Sequence, residues 1–196
     1  STRTASSFMA AMQRLGGSVV AINEVKYSSV SKGESLPDTV RTLECYTDVI
    51  VLRHPEVGSA AIAAEAASKP VLNAGDGVGE HPTQALLDMM TVREQLGRIA
   101  GLRIAIIGDI AHSRVARSNM LGFTKMGARV VVSGPPTMIP MGIESYGVSV
   151  THRMEEAIDG ADVIMMLRIQ KERLESYLFP TEREYSKYFG LNKNRL

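Results

Sequence analysis

His81 and Gln84 stand three residues apart at the head of an apolar-periodic helix, behind a stretch with glycine at 75, 77 and 79. Glycine lets a backbone approach a ligand closely, and a helix start presents N–H donors to an anion. A neutral imidazole and a primary amide donate hydrogen bonds without adding charge, which suits a polarised carbonyl beside a phosphate. Ser1-Thr2-Arg3-Thr4 puts three hydroxyls and a guanidinium at another helix start, a set that binds phosphate oxygens, although hydroxyls there also act as plain N-caps. Arg53, in Arg53-His54-Pro55, leaves the end of one apolar run and Arg168 the end of another, while Arg114 opens a helix. A guanidinium at such an end can grip a carboxylate or phosphate; Arg114 suits a carboxylate, and His54 reads as structural. Ser28, Ser31 and Lys32 lie in a polar loop, from which a lysine can reach an anionic site, including one on a neighbouring subunit.

These residues need elements that bring their ends together. Predicted helices cover residues 8–15, 35–46, 59–67, 83–96, 115–126 and 154–158, and predicted strands 18–22, 49–52, 71–72, 102–107, 128–132, 148–151 and 163–167. Ser35-Leu36-Pro37-Asp38 is a capping-box-like start with proline early in the helix. Alternating strands and helices imply parallel sheets covered on both faces. The chain reads as α/β, with two doubly wound parallel-sheet domains, 1–97 and 98–196, joined by the long helix that ends near 97. In such folds ligands sit beyond the carboxyl ends of the strands. Arg53, His81, Arg114 and Arg168 all follow strands in this reading. Gly108-Asp109 through Arg114 also follows a strand and precedes a helix, which invites a dinucleotide reading. That motif needs glycine at its second and third marked positions, where this chain has Ile110 and Ser113, so a pyrophosphate would be held off.

Composition narrows the classes. The chain has 196 residues, a net charge of +1, 5% aromatics and no Trp, which supplies neither a basic field nor stacking platforms for nucleic acid. No apolar stretch is long enough to span a membrane. Cys45 is the single cysteine, which excludes an intrachain disulfide or a zinc cluster and fits a reducing, cytoplasmic setting. It is expected as a small buried helix residue. No metal or other cofactor is expected. The ends read as truncated, with a polar motif at once at Ser1 and no apolar element over residues 191–196.

In this order and spacing, Ser1-Thr2-Arg3-Thr4, Lys32-Gly33-Glu34, Arg53-His54-Pro55, Asn73-Ala74-Gly75 with His81-Pro82-Thr83-Gln84, Gly108-Asp109 with Arg114, and Arg168-Ile169-Gln170 resemble the aspartate carbamoyltransferase family over nearly the whole chain. The resemblance implies transfer of a carbamoyl group from carbamoyl phosphate to L-aspartate in pyrimidine synthesis. It implies that Ser1, Thr2, Arg3 and Thr4 hold the phosphate, with Thr4 also near the carbonyl, and that Arg53, His81 and Gln84 bind and polarise the carbamoyl group. Arg3, Thr4, Arg53 and His81 are the catalytic candidates. Arg114 and Arg168 would grip the aspartate carboxylates with Gln170 close by, and Ser28 and Lys32 would reach into an adjacent subunit of a homotrimer whose active sites are shared. Some members carry regulatory chains or are fused to other pyrimidine enzymes. Many members have arginine where this chain has Ala5, and the family's later His-Pro loop and terminal helices have no counterpart before Leu196. Ornithine carbamoyltransferase shares the carbamoyl phosphate half, but a cationic co-substrate is poorly matched by two arginines. A non-catalytic paralogue predicts damage to the phosphate or carbonyl residues, and none is seen.

Overall fold

The computed structural model describes residues 2–22, 33–169, 181–193 and 195. Ser1, Ser28, Lys32 and Gln170, all expected in the site, lie outside the described residues. So does most of the polar loop expected at 28–35. The chain forms two compact units, Ser1–Gly77 and Val78–Leu196.

The first unit contains α1 (Thr2–Arg14), α2 (Leu36–Leu43), β1 (Ile50–His54), α3 (Ser59–Ala66) and β2 (Val71–Asp76). Ser35 caps α2 as its sequence predicts: its Oγ accepts from the Asp38 N–H (3.3 Å), and Pro37 sits in the first turn, where its missing N–H costs nothing. β1 and β2 pair in parallel, and Val40 of α2 and Ala63 of α3 share one core cluster with Ile50 of β1. The sheet in this unit has two strands among the described residues.

Two expectations fail here. Residues 18–22 were expected as a strand but adopt no regular structure, and Val20 and Ile22 are exposed. β-branched residues favour an extended chain, yet a strand exists only when another offers its ladder, and no described strand pairs with this one. Cys45 is exposed rather than buried: α2 stops at Leu43, so the thiol falls in the turn after the Glu44 C-cap.

The second unit carries α4 (Pro82–Leu96), β3 (Arg103–Ile107), α5 (Arg114–Lys125), β4 (Arg129–Ser133), β5 (Ser149–Thr151), α6 (Met154–Ile158), β6 (Val163–Met166) and α7 (Glu182–Phe189). Its parallel sheet runs β5-β4-β3-β6. Strand alternation splits the core in two. Ile104, Ile106, Val130 and Val132 face α5 through Ala116, Met120 and Phe123, while Ala105, Ile107 and Val131 face Met154 and Ala157 of α6 and Phe189 of α7. Both faces are covered, which explains the apolar run from Ile104 to Ile107 in β3. The expected doubly wound parallel architecture is present in this unit. The break between compact units falls after Gly77, upstream of the expected 97/98 boundary. α4 groups with the second unit because Val92 joins the α5-side core and Met89 packs against it. No helix of the described residues is long and apolar enough to cross a membrane.

Candidate active site

In the first unit the sheet hands Arg53 to the N-terminal turn of α1. The β1–β2 register runs Leu52 to Asn73 and then His54 to Asp76, so β2 carries one extra residue opposite Arg53. This bulge is built by the sequence. Asn73 Oδ1 accepts from the Gly75 N–H (2.8 Å), and Gly75 takes φ +117°, a conformation that favours glycine. The run after Leu72 was expected as a loop but continues as strand to Asp76, because the bulge takes up the extra residue and pairing resumes at His54 and Asp76. Asp76, 6% exposed, accepts from the Gly58 N–H at the start of α3 (2.9 Å). His54 is structural, as expected: its Nδ1 accepts from the Glu56 N–H (3.1 Å) and lies 2.7 Å from Ser59 Oγ.

Arg53 itself is exposed. Its Nη1 donates to Thr4 Oγ1 (2.9 Å) and to the Ala74 carbonyl in the bulge (3.3 Å). The structure therefore joins two of the four catalytic candidates directly, with the guanidinium steered by a strand irregularity and the hydroxyl by a helix start. Thr2 and Arg3 share that exposed first turn of α1, where backbone N–H groups have no helical acceptor.

In the second unit His81 is the N-cap residue of α4, followed by Pro82 at the first helical position. Its backbone N–H donates to Ser118 Oγ of α5 (2.8 Å), and that hydroxyl donates in turn to the Glu80 carboxylate. The start of α4 is thus pinned to α5 through Ser118. One turn on, Gln84 Nε2 donates to Asp88 Oδ1 (2.9 Å).

The sheet order determines where a ligand can lie in this unit. β3 connects to β4 on one side and β6 arrives on the other, so the topological switch point lies between β3 and β6. Their ends stay in register, with Ile107 opposite Met166 and the Leu167 N–H bonded to the Ile107 carbonyl (2.8 Å). Arg114 follows the β3 end as the first residue of α5, and Arg168 follows the β6 end. Both arginine-bearing segments thereby leave the same edge of the sheet. Arg114 is 9% exposed. Arg168 is exposed, and the run before it is less buried than its sequence predicts: Met166 is exposed and Leu167 only half-buried. β6 is an edge strand among the described residues, which leaves one side of it open.

Sequence reasoning assigned no role to the groups packed just past the end of β3. Asp109, fully buried just past β3, accepts from the His112 N–H (3.2 Å) and Nδ1 (2.8 Å). A carboxylate only accepts, so that imidazole carries its proton on Nδ1. Tyr185 of α7 stacks on Phe189 with ring centroids 5.6 Å apart. Burial first, and the negative Asp109 second, push its phenol up to about 12. Gly108, at φ +129°, is needed here: a Cβ would sit 3.0 Å from Leu167 Cβ and 3.1 Å from the Tyr185 hydroxyl. The signal for Asp109 was in the Gly-Asp motif; Tyr185 has none.

Residues 1–94 match the family model described as aspartate/ornithine carbamoyltransferase, carbamoyl-P binding domain, and residues 100–196 match its Asp/Orn binding domain. The aspartate carbamoyltransferase catalytic subunit of Desulfosudis oleivorans is 59% identical over the whole chain, and that of Halothermothrix orenii 56%. The chain spans 63% of the length of each. Among solved structures, aspartate transcarbamoylase from Trypanosoma cruzi in complex with N-(phosphonacetyl)-L-aspartic acid superposes with a TM-score of 0.79 at 42% identity, over 89% of this chain and 60% of that one. The catalytic subunit of M. jannaschii aspartate transcarbamoylase gives 0.79 at 40% identity, over 96% and 62%.

Proposed function

Because the chain belongs to the aspartate/ornithine carbamoyltransferase family, we propose that it transfers the carbamoyl group of carbamoyl phosphate to L-aspartate, yielding N-carbamoyl-L-aspartate and phosphate. The supporting observation is the pair Arg114 and Arg168, which follow adjacent strand ends at the switch point of the second unit. Two guanidiniums at one crevice suit a dicarboxylate amine, whereas a cationic side chain would be repelled there.

The chemistry follows from the donors. The neutral amine of aspartate attacks the carbamoyl carbon, and charge develops on the carbonyl oxygen. Thr4, Arg53 and His81 stabilise that charge, and Ser1, Thr2 and Arg3 hold the phosphate. The C–O bond to phosphate then breaks, the electron pair leaves with phosphate, and the amine proton passes to it. One donor preplaced at a developing oxyanion contributes about 3–4 kcal/mol, and holding two substrates together contributes at least as much. Gln84 binds the carbamoyl amide. In this reading residues 1–97 form the carbamoyl phosphate domain and 98–196 the aspartate domain. Ser28 and Lys32 serve the site of a neighbouring subunit in a homotrimer, and Gln170 assists Arg168.

The test is a ureido-product assay on the full-length protein with carbamoyl phosphate and either L-aspartate or L-ornithine. Turnover of aspartate alone is expected. Turnover of ornithine alone, or of neither amine, overturns the proposal.

A further inference from the structure

Gln84 is held by more than its own helix. Its Nε2 donates to Asp88 Oδ1 (2.9 Å), one turn along α4. The second oxygen of that carboxylate, Oδ2, accepts from Asn119 Nδ2 of α5 (2.7 Å). An ionised carboxylate accepts hydrogen bonds and cannot donate them, so it dictates the orientation of any amide it meets. Gln84 must therefore turn its nitrogen toward Asp88 and its carbonyl oxygen away. Asn119 is fully buried, and its Oδ1 has no hydrogen-bond partner. A buried acceptor without a partner is costly, and an apolar residue of similar size would avoid that cost. Packing alone does not account for an asparagine here; clamping Asp88 does.

We propose that Asp88, clamped by Asn119, is a positioning residue that fixes the Gln84 amide with its oxygen outward, so that the site accepts a substrate bearing N–H donors and disfavours one of the same shape without them. This rests on the carbamoyl-transfer reading above. A carbamoyl NH2 offers two protons to the Gln84 oxygen. The methyl of an acetyl group offers none and leaves that oxygen desolvated. Discrimination of this kind is strong because the polar group of the site loses its partner.

The test compares kcat/KM for carbamoyl phosphate with that for acetyl phosphate, with aspartate as acceptor, in the full-length protein. In Asp88→Asn the new amide can donate to or accept from either neighbour, so the orientation of Gln84 is no longer dictated. The preference for carbamoyl over acetyl phosphate should fall at least fivefold, chiefly through KM for carbamoyl phosphate. In the double variant Asp88→Asn with Asn119→Asp, the carboxylate on α5 forces the new amide to turn its oxygen back to Gln84, and the preference should return to within twofold of the parent. A preference unchanged within twofold in Asp88→Asn, even with both rates lowered, would show that Asp88 only supports the fold and would overturn the proposal. A measurement on the unmutated protein covers variants that fail to fold. The Gln84 side-chain NH2 should be protected from exchange with water in NMR spectra, and free exchange overturns the proposal. If the unmutated protein used neither acyl phosphate, the carbamoyl-transfer reading would fall, while the NMR result would still report how Gln84 is held.

Discussion

Single residues divide here into those proposed to bind a ligand and those that aim them. Arg53 is exposed and bonds Thr4, whereas His54, its neighbour, turns inward to Glu56 and Ser59. Arg53→Ala should lower kcat by about 10²–10³, the loss typical for one oxyanion donor, while circular dichroism shows an intact fold. His81→Ala should lower kcat likewise, because the pinning of α4 to α5 at this point runs through the His81 backbone and Ser118, which the substitution keeps. Unchanged rates would remove either residue from the mechanism. The sequence offered these candidate residues through their types and spacing. It did not reveal the residues that aim them. Gln84 and Asp88 sit at helical spacing and can be paired by eye, but Asn119 lies 31 positions further on, and only the packing of α5 on α4 brings it close. Asn73 and Gly75 read as loop residues, although their contacts build a strand bulge.

At the scale of elements, α7 is fixed to the sheet mainly through Tyr185 and Phe189 over Gly108 and Ile107. The raised phenol sets a pH dependence. A free tyrosine titrates near 10 and Tyr185 at about 12, so between those values the folded chain holds a proton that the unfolded chain has lost. Stability from this group is whole below pH 10 and declines as pH rises toward 12. Denaturant melts across that range should be less steeply pH-dependent in Tyr185→Phe than in the parent; identical slopes would show that the phenol is not linked to folding. The strands of the second unit were legible because both faces of the sheet are apolar, giving continuous runs at 104–107 and 130–132. The segment 18–22 shows the converse. Its composition is as strand-like as theirs, but composition specifies half of a ladder, and the other half belongs to a different segment.

For the whole molecule, the net charge is only +1, yet the first unit pairs the Arg53 guanidinium with the Thr4 hydroxyl, groups suited to an anion. Inorganic phosphate, the leaving group of the proposed reaction, should stabilise the protein by about 2.7 kcal/mol at one hundred times its Kd, seen as a rise in melting temperature. NAD should give no such rise, since Ile110 and Ser113 occupy the positions where a dinucleotide loop needs glycine. The strand order of the second unit also bears on how the chain is made. β3 can pair with β4 soon after both emerge from a ribosome, but its other side waits for β6, which begins at Val163. At about 5–20 residues per second, that apolar edge stays bare for roughly 3–11 s. Nascent-chain aggregation and chaperone capture are therefore expected to concentrate in this interval and to end once β6 is translated.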